Sequence, residues 1–153
     1  MFTVGIDLGT TASVVSYIKD GIPTAVKIDG RVTVPSVVNY SSENPIVGRE
    51  AIYKSDSAHT EFSVKRRMGE EDSAVKVSAD ILRHLKLSTE INTDRKIDGA
   101  VITVPAHFSD IQRIATKRAA SLAGIKVLRL INEPTSAALA FGIGNSEKNG
   151  IYA

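Results

Sequence analysis

A chain of 153 residues with 42% apolar and 24% charged side chains is enough for one domain with a real core. Its net charge of +2 is too small to argue for nucleic acid or an anionic membrane as partner, and without cysteine neither a disulfide framework nor a thiolate metal site is possible. With no long apolar run and no basic-then-apolar leader, membrane spans and secretory signals are not expected, which leaves the cytosol, a cytoplasmic setting, as the default compartment.

In chain order, Val4-Gly5-Ile6-Asp7 is a short buried strand that ends on a carboxylate. A Gly9-Thr10-Thr11 turn follows, then the β-branched run Val14 to Ile18, so the pair predicts a hairpin. Thr24 to Ile28 predicts a third strand, and Asp29-Gly30 a turn into a β-rich segment, Arg31 to Tyr40, broken by Pro35. Arg49 to Lys54 holds one or two helical turns, and Thr60 to Gly69 a short helix stopped by the glycine. Residues 70 to 76 are polar and turn-like, and a helix with Ile81, Leu82 and Leu85 on one face is expected from about Ser78, a good N-cap.

Gly99 to Val104 is nearly all apolar, as in a strand covered on both faces, and Pro105 ends it. Ser109-x-x-Gln112 has the form of a capping box. The helix it opens carries Ile111, Ile114, Ala115, Ala119, Leu122 and Ala123 on its apolar side and closes at Gly124. Val127 to Ile131 reads as another buried strand, Glu133-Pro134 as the start of a helix to Gly142, and Gly150 to Ala153 as the beginning of a further strand. Strands alternating with helices after an antiparallel meander indicate an α/β fold with a mixed sheet and flanking helices, in one domain without a linker.

Four stretches, in this order, resemble the nucleotide-binding domain of the Hsp70 chaperones: Gly5-Ile6-Asp7-Leu8-Gly9-Thr10-Thr11, Ser63 to Gly69, Ile102 to Phe108, and Leu130 to Ala138. Ser63-Val64-Lys65-Arg66, Val77 to Leu82 and Lys126 to Leu130 are further similar to the HscA branch, the specialised Hsp70 of bacterial iron–sulfur cluster assembly. The resemblance implies an actin-like, ribonuclease H-like ATPase lobe. It covers 1–153 as lobe I, with a peripheral subdomain shortened between 69 and 77. The family's second lobe, with its second phosphate loop, and its peptide-binding domain have no counterpart here. Implied partners are a J-domain co-chaperone of the HscB kind and an iron–sulfur scaffold protein, with ATP or ADP and Mg²⁺ as ligands.

By the same resemblance, the turn Gly9-Thr10-Thr11 supplies donors to the β- and γ-phosphates and Asp7 holds the water shell of Mg²⁺. Glycine allows close backbone approach, and a hard carboxylate suits the cation. Lys65 reaches the γ-phosphate and the attacking water, a task suited to a compact ammonium with three donors. Glu133 stands near that water, while Pro105 and Arg113 resemble the pair that relays nucleotide state to the substrate domain. Each has a plainer reading: a strand-end carboxylate for Asp7, a solvated basic helix face for Lys65-Arg66-Arg67, and a dipole-complementing carboxylate for Glu133. His59, His84 and His107 lack metal-ligand spacing, and His84 is expected on a helix surface. A sugar or acetate kinase of the same superfamily shares the Asp-x-Gly-Thr turn but is not expected to carry Ser63 to Gly69 or Asn132 to Ala138. A non-catalytic binding or filament-forming fragment is the reading from another class. With half of the cleft missing, weak or no ATP hydrolysis is expected of the isolated chain.

Overall fold

In the computed structural model, which describes residues 1–56 and 58–143, strand alternation decides the centre of the fold. β1 (Thr3–Asp7) buries Val4 and Ile6 and turns Thr3, Gly5 and Asp7 to the other face. β2 (Ala12–Lys19) returns antiparallel, setting Val15 opposite Ile6 and Val14 opposite Asp7. β3 (Ile22–Ala25) continues the meander. It lies earlier than the expected 24–28 because Asp20-Gly21, both at positive φ, closes a two-residue hairpin turn. Val26 still donates its N–H to the Val15 carbonyl of β2 at 2.8 Å, and the Val26 and Ile28 side chains enter the core.

β4 (Val34–Pro35) pairs with the start of β2 and stops at once, as its proline requires. β5 (Val38–Asn39), β6 (Ile46–Val47) and β7 (Thr60–Glu61) make a small separate sheet with β5 in the middle. α1 (Arg49–Tyr53) lies between β6 and β7 in the chain. Buried Asn39 ties this unit together by donating to the Lys54 carbonyl at 3.2 Å and to Thr60 Oγ1 at 2.8 Å. The short helix expected within 60–69 is a 3₁₀ helix, Val64–Arg67, entered through Ser63 at φ +52° and preceded by β7. Gly69, at φ +85°, does end it.

α2 (Asp72–Thr93) starts six residues before Ser78, which is itself buried inside the helix. Residues 70 to 76 look polar, yet Ala74 and Val75 are buried, and Glu71 and Asp72 favour the positive end of the helix dipole. α2 spans the core with Val75, Ala79, Leu82 and Leu85, and Tyr40 Oη donates to its Asp80 at 2.8 Å, joining the small sheet to it. Burial, and then the bond to Asp80, push the Tyr40 hydroxyl pKa far up.

β8 (Gly99–Val104) lies parallel to β1 with Thr103 opposite Asp7. Ala100, Ile102 and Val104 are buried while Val101 and Thr103 are half-exposed, so one face is covered rather than the two expected. α3 (Asp110–Leu122) opens with the predicted capping box, Ser109 and Gln112 bonding each other's backbone N–H. Its packed side is only partly the one expected: Ala115, Ala119 and Ala123 are buried, together with Thr116 and Ala120, but the large residues Ile111, Ile114 and Leu122 are exposed. Small side chains allow α3 to approach α2 closely. β9 (Val127–Asn132) is parallel to β8 but is the sheet edge among the described residues, with Leu128 and Arg129 exposed, not a buried strand. α4 (Glu133–Ile143) follows without a break. The strand expected at 150–153 lies outside the described residues. The main sheet runs β3-β2-β1-β8-β9, and β1, β8 and β9 present their carboxyl ends together.

Candidate functional site

Open α/β sheets bind ligands outside the carboxyl ends of their parallel strands, and most of the candidate residues lie there. Asp7 ends β1, and its Oδ1 accepts a 2.8 Å hydrogen bond from Thr103 Oγ1, directly across the ladder. One register step further, Val104 faces Asn132, the last residue of β9, and Glu133 comes next. Asp7 is exposed, so the bond to Thr103 orients its carboxylate without removing it from solvent.

The turn that follows β1 needs its glycine. A Cβ on Gly9 would stand 2.0 Å from the carbonyl oxygen of Ala12, an overlap with backbone that no rotamer relieves. The Gly9 carbonyl accepts from Ser36 Oγ at 2.8 Å, and the Thr11 carbonyl from the Ser36 backbone N–H at 2.9 Å. Thr11 is exposed and Thr10 half-exposed.

Lys65 sits on the 3₁₀ turn with its side chain only 7% exposed, and its ammonium donates to Glu133 Oε1 at 2.6 Å. The same nitrogen stands 5.9 Å from the centre of the Phe108 ring, at cation–π range. Glu133 is 41% exposed, so the pair is half inside and half in water. A solvated basic helix face is therefore excluded for Lys65. Arg67, two residues on, does what that reading expects, pairing with Glu61 and Glu71 at the surface.

Pro105 and Arg113 join the same end of the sheet through backbone and side chain. The Phe108 N–H bonds the Pro105 carbonyl at 3.1 Å, and Arg113 Nε donates to the Phe108 carbonyl at 3.2 Å. Arg113 Nη2 also donates to Asn132 Oδ1 at 2.6 Å, beside Glu133. Lys65, Glu133, Pro105 and Arg113 thus form one connected group around Phe108. Among the described residues no hydrogen bond links that group to Asp7 or to the Gly9–Thr11 turn.

Among the described residues no histidine side chain hydrogen-bonds to a candidate site residue. His59 holds Asp56 at 3.0 Å in a surface turn, and that bond keeps the Asp56 carboxyl below its usual range. His107 stacks edge-on against Phe108. His84 is half-buried, not on the surface as expected, and burial lowers its pKa against an opposing pull from Asp29. Among the described residues no three acidic or histidine side chains cluster as a metal site, and no helix is long and apolar enough to cross a membrane. Sequence reading gave no role to Thr103, Ser36, Phe108 or Asn132. Thr103 did leave a signal, as the hydroxyl set between Ile102 and Val104 in an otherwise apolar strand.

A sequence model of the Hsp70 protein family matches residues 3–77 and 70–153. The chain belongs to the Hsp70 family. It is 40% identical to a chaperone protein HscA homolog of Photobacterium profundum over 184 aligned positions, covering 98% of this chain and 30% of that protein. It is 44% identical to a chaperone protein DnaK of Mycoplasmopsis agalactiae, covering 95% and 26%. An HscA homolog of Laribacter hongkongensis is likewise 44% identical, with 97% and 29% covered. The chain thus spans 26–30% of the length of these Hsp70 relatives. Its mixed sheet and flanking helices are those of an actin-like ATPase lobe, and the four motifs that resembled the family all lie within the matched residues.

Proposed function

We propose that this chain is lobe I of an Hsp70-type nucleotide-binding domain and grips the phosphate end of Mg²⁺·ATP. The observation that carries the reading is the Lys65–Glu133 pair. A 2.6 Å ion pair joins residues 68 positions apart, with the lysine buried, at the carboxyl ends of β1, β8 and β9. Burying an ammonium is costly unless it is paired, and a fold has little reason to keep one beside an open edge unless an anion is handled there.

The donor set fits the group. Asp7 offers a hard carboxylate oxygen in water, as Mg²⁺ prefers, and the Gly9–Thr11 turn offers backbone N–H and hydroxyl donors. Mg²⁺ bound there supplies neutralisation of the phosphate charge. Thr103 holds the Asp7 carboxylate in place, and Asp7 would meet that cation through its water shell. Lys65 brings a positive charge and a proton donor, held in place by Phe108 and Glu133, to the terminal phosphate. Glu133, partly solvated, would accept a proton or orient a water. Arg113, bonded to Asn132 and to the segment after Pro105, joins this group to the surface of α3.

The HscA-named relatives support the HscA branch, and for it we propose iron–sulfur assembly in the cytoplasm with an HscB-like J-domain co-chaperone and a scaffold protein as partners. An alignment of 184 positions to a chain of 153 residues supports an internal shortening, and the two matched segments meet at 70–77, where the missing subdomain belongs. Because the described residues enclose the phosphate site from one side, the isolated chain hydrolyses ATP at near-background rate. A steady-state ATPase assay tests this: robust Mg²⁺-dependent turnover abolished by Lys65→Ala would overturn it.

A further inference from the structure

Ser36 lies 27 residues from Gly9 in sequence and belongs to none of the motifs discussed above. It is buried at 4% exposure, as is Ser13 at 0%. Its hydroxyl donates to the Gly9 carbonyl at 2.8 Å and stands 2.9 Å from Ser13 Oγ, while its backbone N–H donates to the Thr11 carbonyl at 2.9 Å. One residue therefore holds two carbonyls of the turn.

In a trans peptide the C=O and the following N–H point in opposite directions, and none of the described peptides is cis. Drawing the Gly9 and Thr11 carbonyls toward Ser36 therefore aims the N–H groups of Thr10 and Ala12 away from it. A turn with its carbonyls tied back and its N–H groups turned outward is a concavity for anions. Without the tie, the two carbonyl dipoles are free to rotate toward an approaching phosphate and repel it. β4 places the brace: Pro35 pairs with Ala12 and Val34 with Ser13, so Ser36 arrives beside the turn as that short ladder ends. Ser13 completes the arrangement by giving the Ser36 hydroxyl a second partner in a site closed to water.

We propose that Ser36, supported by Ser13, is the positioning residue of the Gly9–Thr11 turn and sets its affinity for the phosphates of a magnesium nucleotide. The proposal rests on the phosphate reading above. Ser36→Ala removes the tie to Gly9 and keeps the backbone tie to Thr11; Ser36→Thr keeps both. Amide hydrogen exchange of residues 9–12 and Mg²⁺·ADP affinity by calorimetry are measured on the whole chain, with thermal melting to confirm folding. Ser36→Ala speeds exchange in the turn by about tenfold relative to β8 and weakens Mg²⁺·ADP by about tenfold, the factor one buried hydrogen bond is worth. Ser36→Thr recovers both, and Ser13→Ala gives a smaller effect of the same sign. Unchanged exchange and affinity in a folded Ser36→Ala chain overturn the proposal. A wild-type chain that fails to bind Mg²⁺·ADP while its turn still loosens in Ser36→Ala refutes the phosphate reading and leaves the brace standing.

Discussion

Cutting the Lys65–Glu133 pair from its two sides should give unequal costs. Glu133→Ala leaves an ammonium that is 7% exposed, with the Phe108 ring 5.9 Å away as its remaining partner. Breaking a fully buried pair from one side costs about 3–5 kcal/mol, and an exposed one about 0–1 kcal/mol. Glu133 is 41% exposed, so water reaches the vacated position and the expected loss is about 2 kcal/mol. Lys65→Met keeps the length of the stem against Phe108 and leaves behind a carboxylate that hydrates where it stands, so its cost should stay within about 1 kcal/mol. In the double variant the Glu133 change adds almost nothing, which gives a coupling of about 2 kcal/mol. Urea unfolding of the four chains measures the cycle. Equal single costs, or a coupling under about 0.5 kcal/mol, would refute the claim that Lys65 is a buried cation dependent on Glu133.

Other outcomes follow from single positions. The Thr89 hydroxyl is fully buried and makes no hydrogen bond among the described residues, so Thr89→Val should raise unfolding stability by about 1 kcal/mol in urea melts. Gly9→Ala forces a Cβ against the Ala12 carbonyl and should cost about 3 kcal/mol, read as a fall in the urea midpoint, while abolishing nucleotide contact at the turn. His84 has a lowered pKa when folded, so between that value and the ordinary one near 6.5 the unfolded chain binds a proton that the folded chain does not. Stability should fall as pH drops from neutral through that window and level off below the folded pKa. Comparing urea midpoints from pH 7.5 down to pH 5 for His84→Gln should show a flatter profile.

The parts of the fold legible in sequence were those where one local rule acts alone. β8 ends at Pro105 as read, the capping box at Ser109 forms, and Gly69 and Gly124 sit at positive φ where chain breaks were expected. Misreadings arose where tertiary packing chose between local options. Ser78 has the chemistry of an N-cap, but the apolar pair Ala74 and Val75 had a core to enter, so α2 began earlier. In α3 the expected side joined large residues to alanines, and the close approach to α2 kept Ala115, Ala119 and Ala123 but left Ile111, Ile114 and Leu122 outside. β9 is apolar enough for a sheet centre yet lies at an edge, because no described strand follows it. The candidate site was legible in pieces: Asp7, Lys65 and Glu133 stood out through family motifs. Thr103 beside Asp7, Phe108 beside Lys65, and Ser36 beneath the Gly9–Thr11 turn depend on strand register and loop placement, which no spacing along the chain encodes.

The most direct test of the phosphate reading is a titration of the isotope-labelled chain with Mg²⁺·ATP followed by amide and lysine-ammonium NMR. Chemical-shift changes should be confined to Gly9–Thr11, Asp7, Lys65 and Glu133, with the Lys65 ammonium signal moving as its acceptor changes from carboxylate to phosphate. No change at millimolar nucleotide, or changes centred elsewhere on the surface, would contradict it.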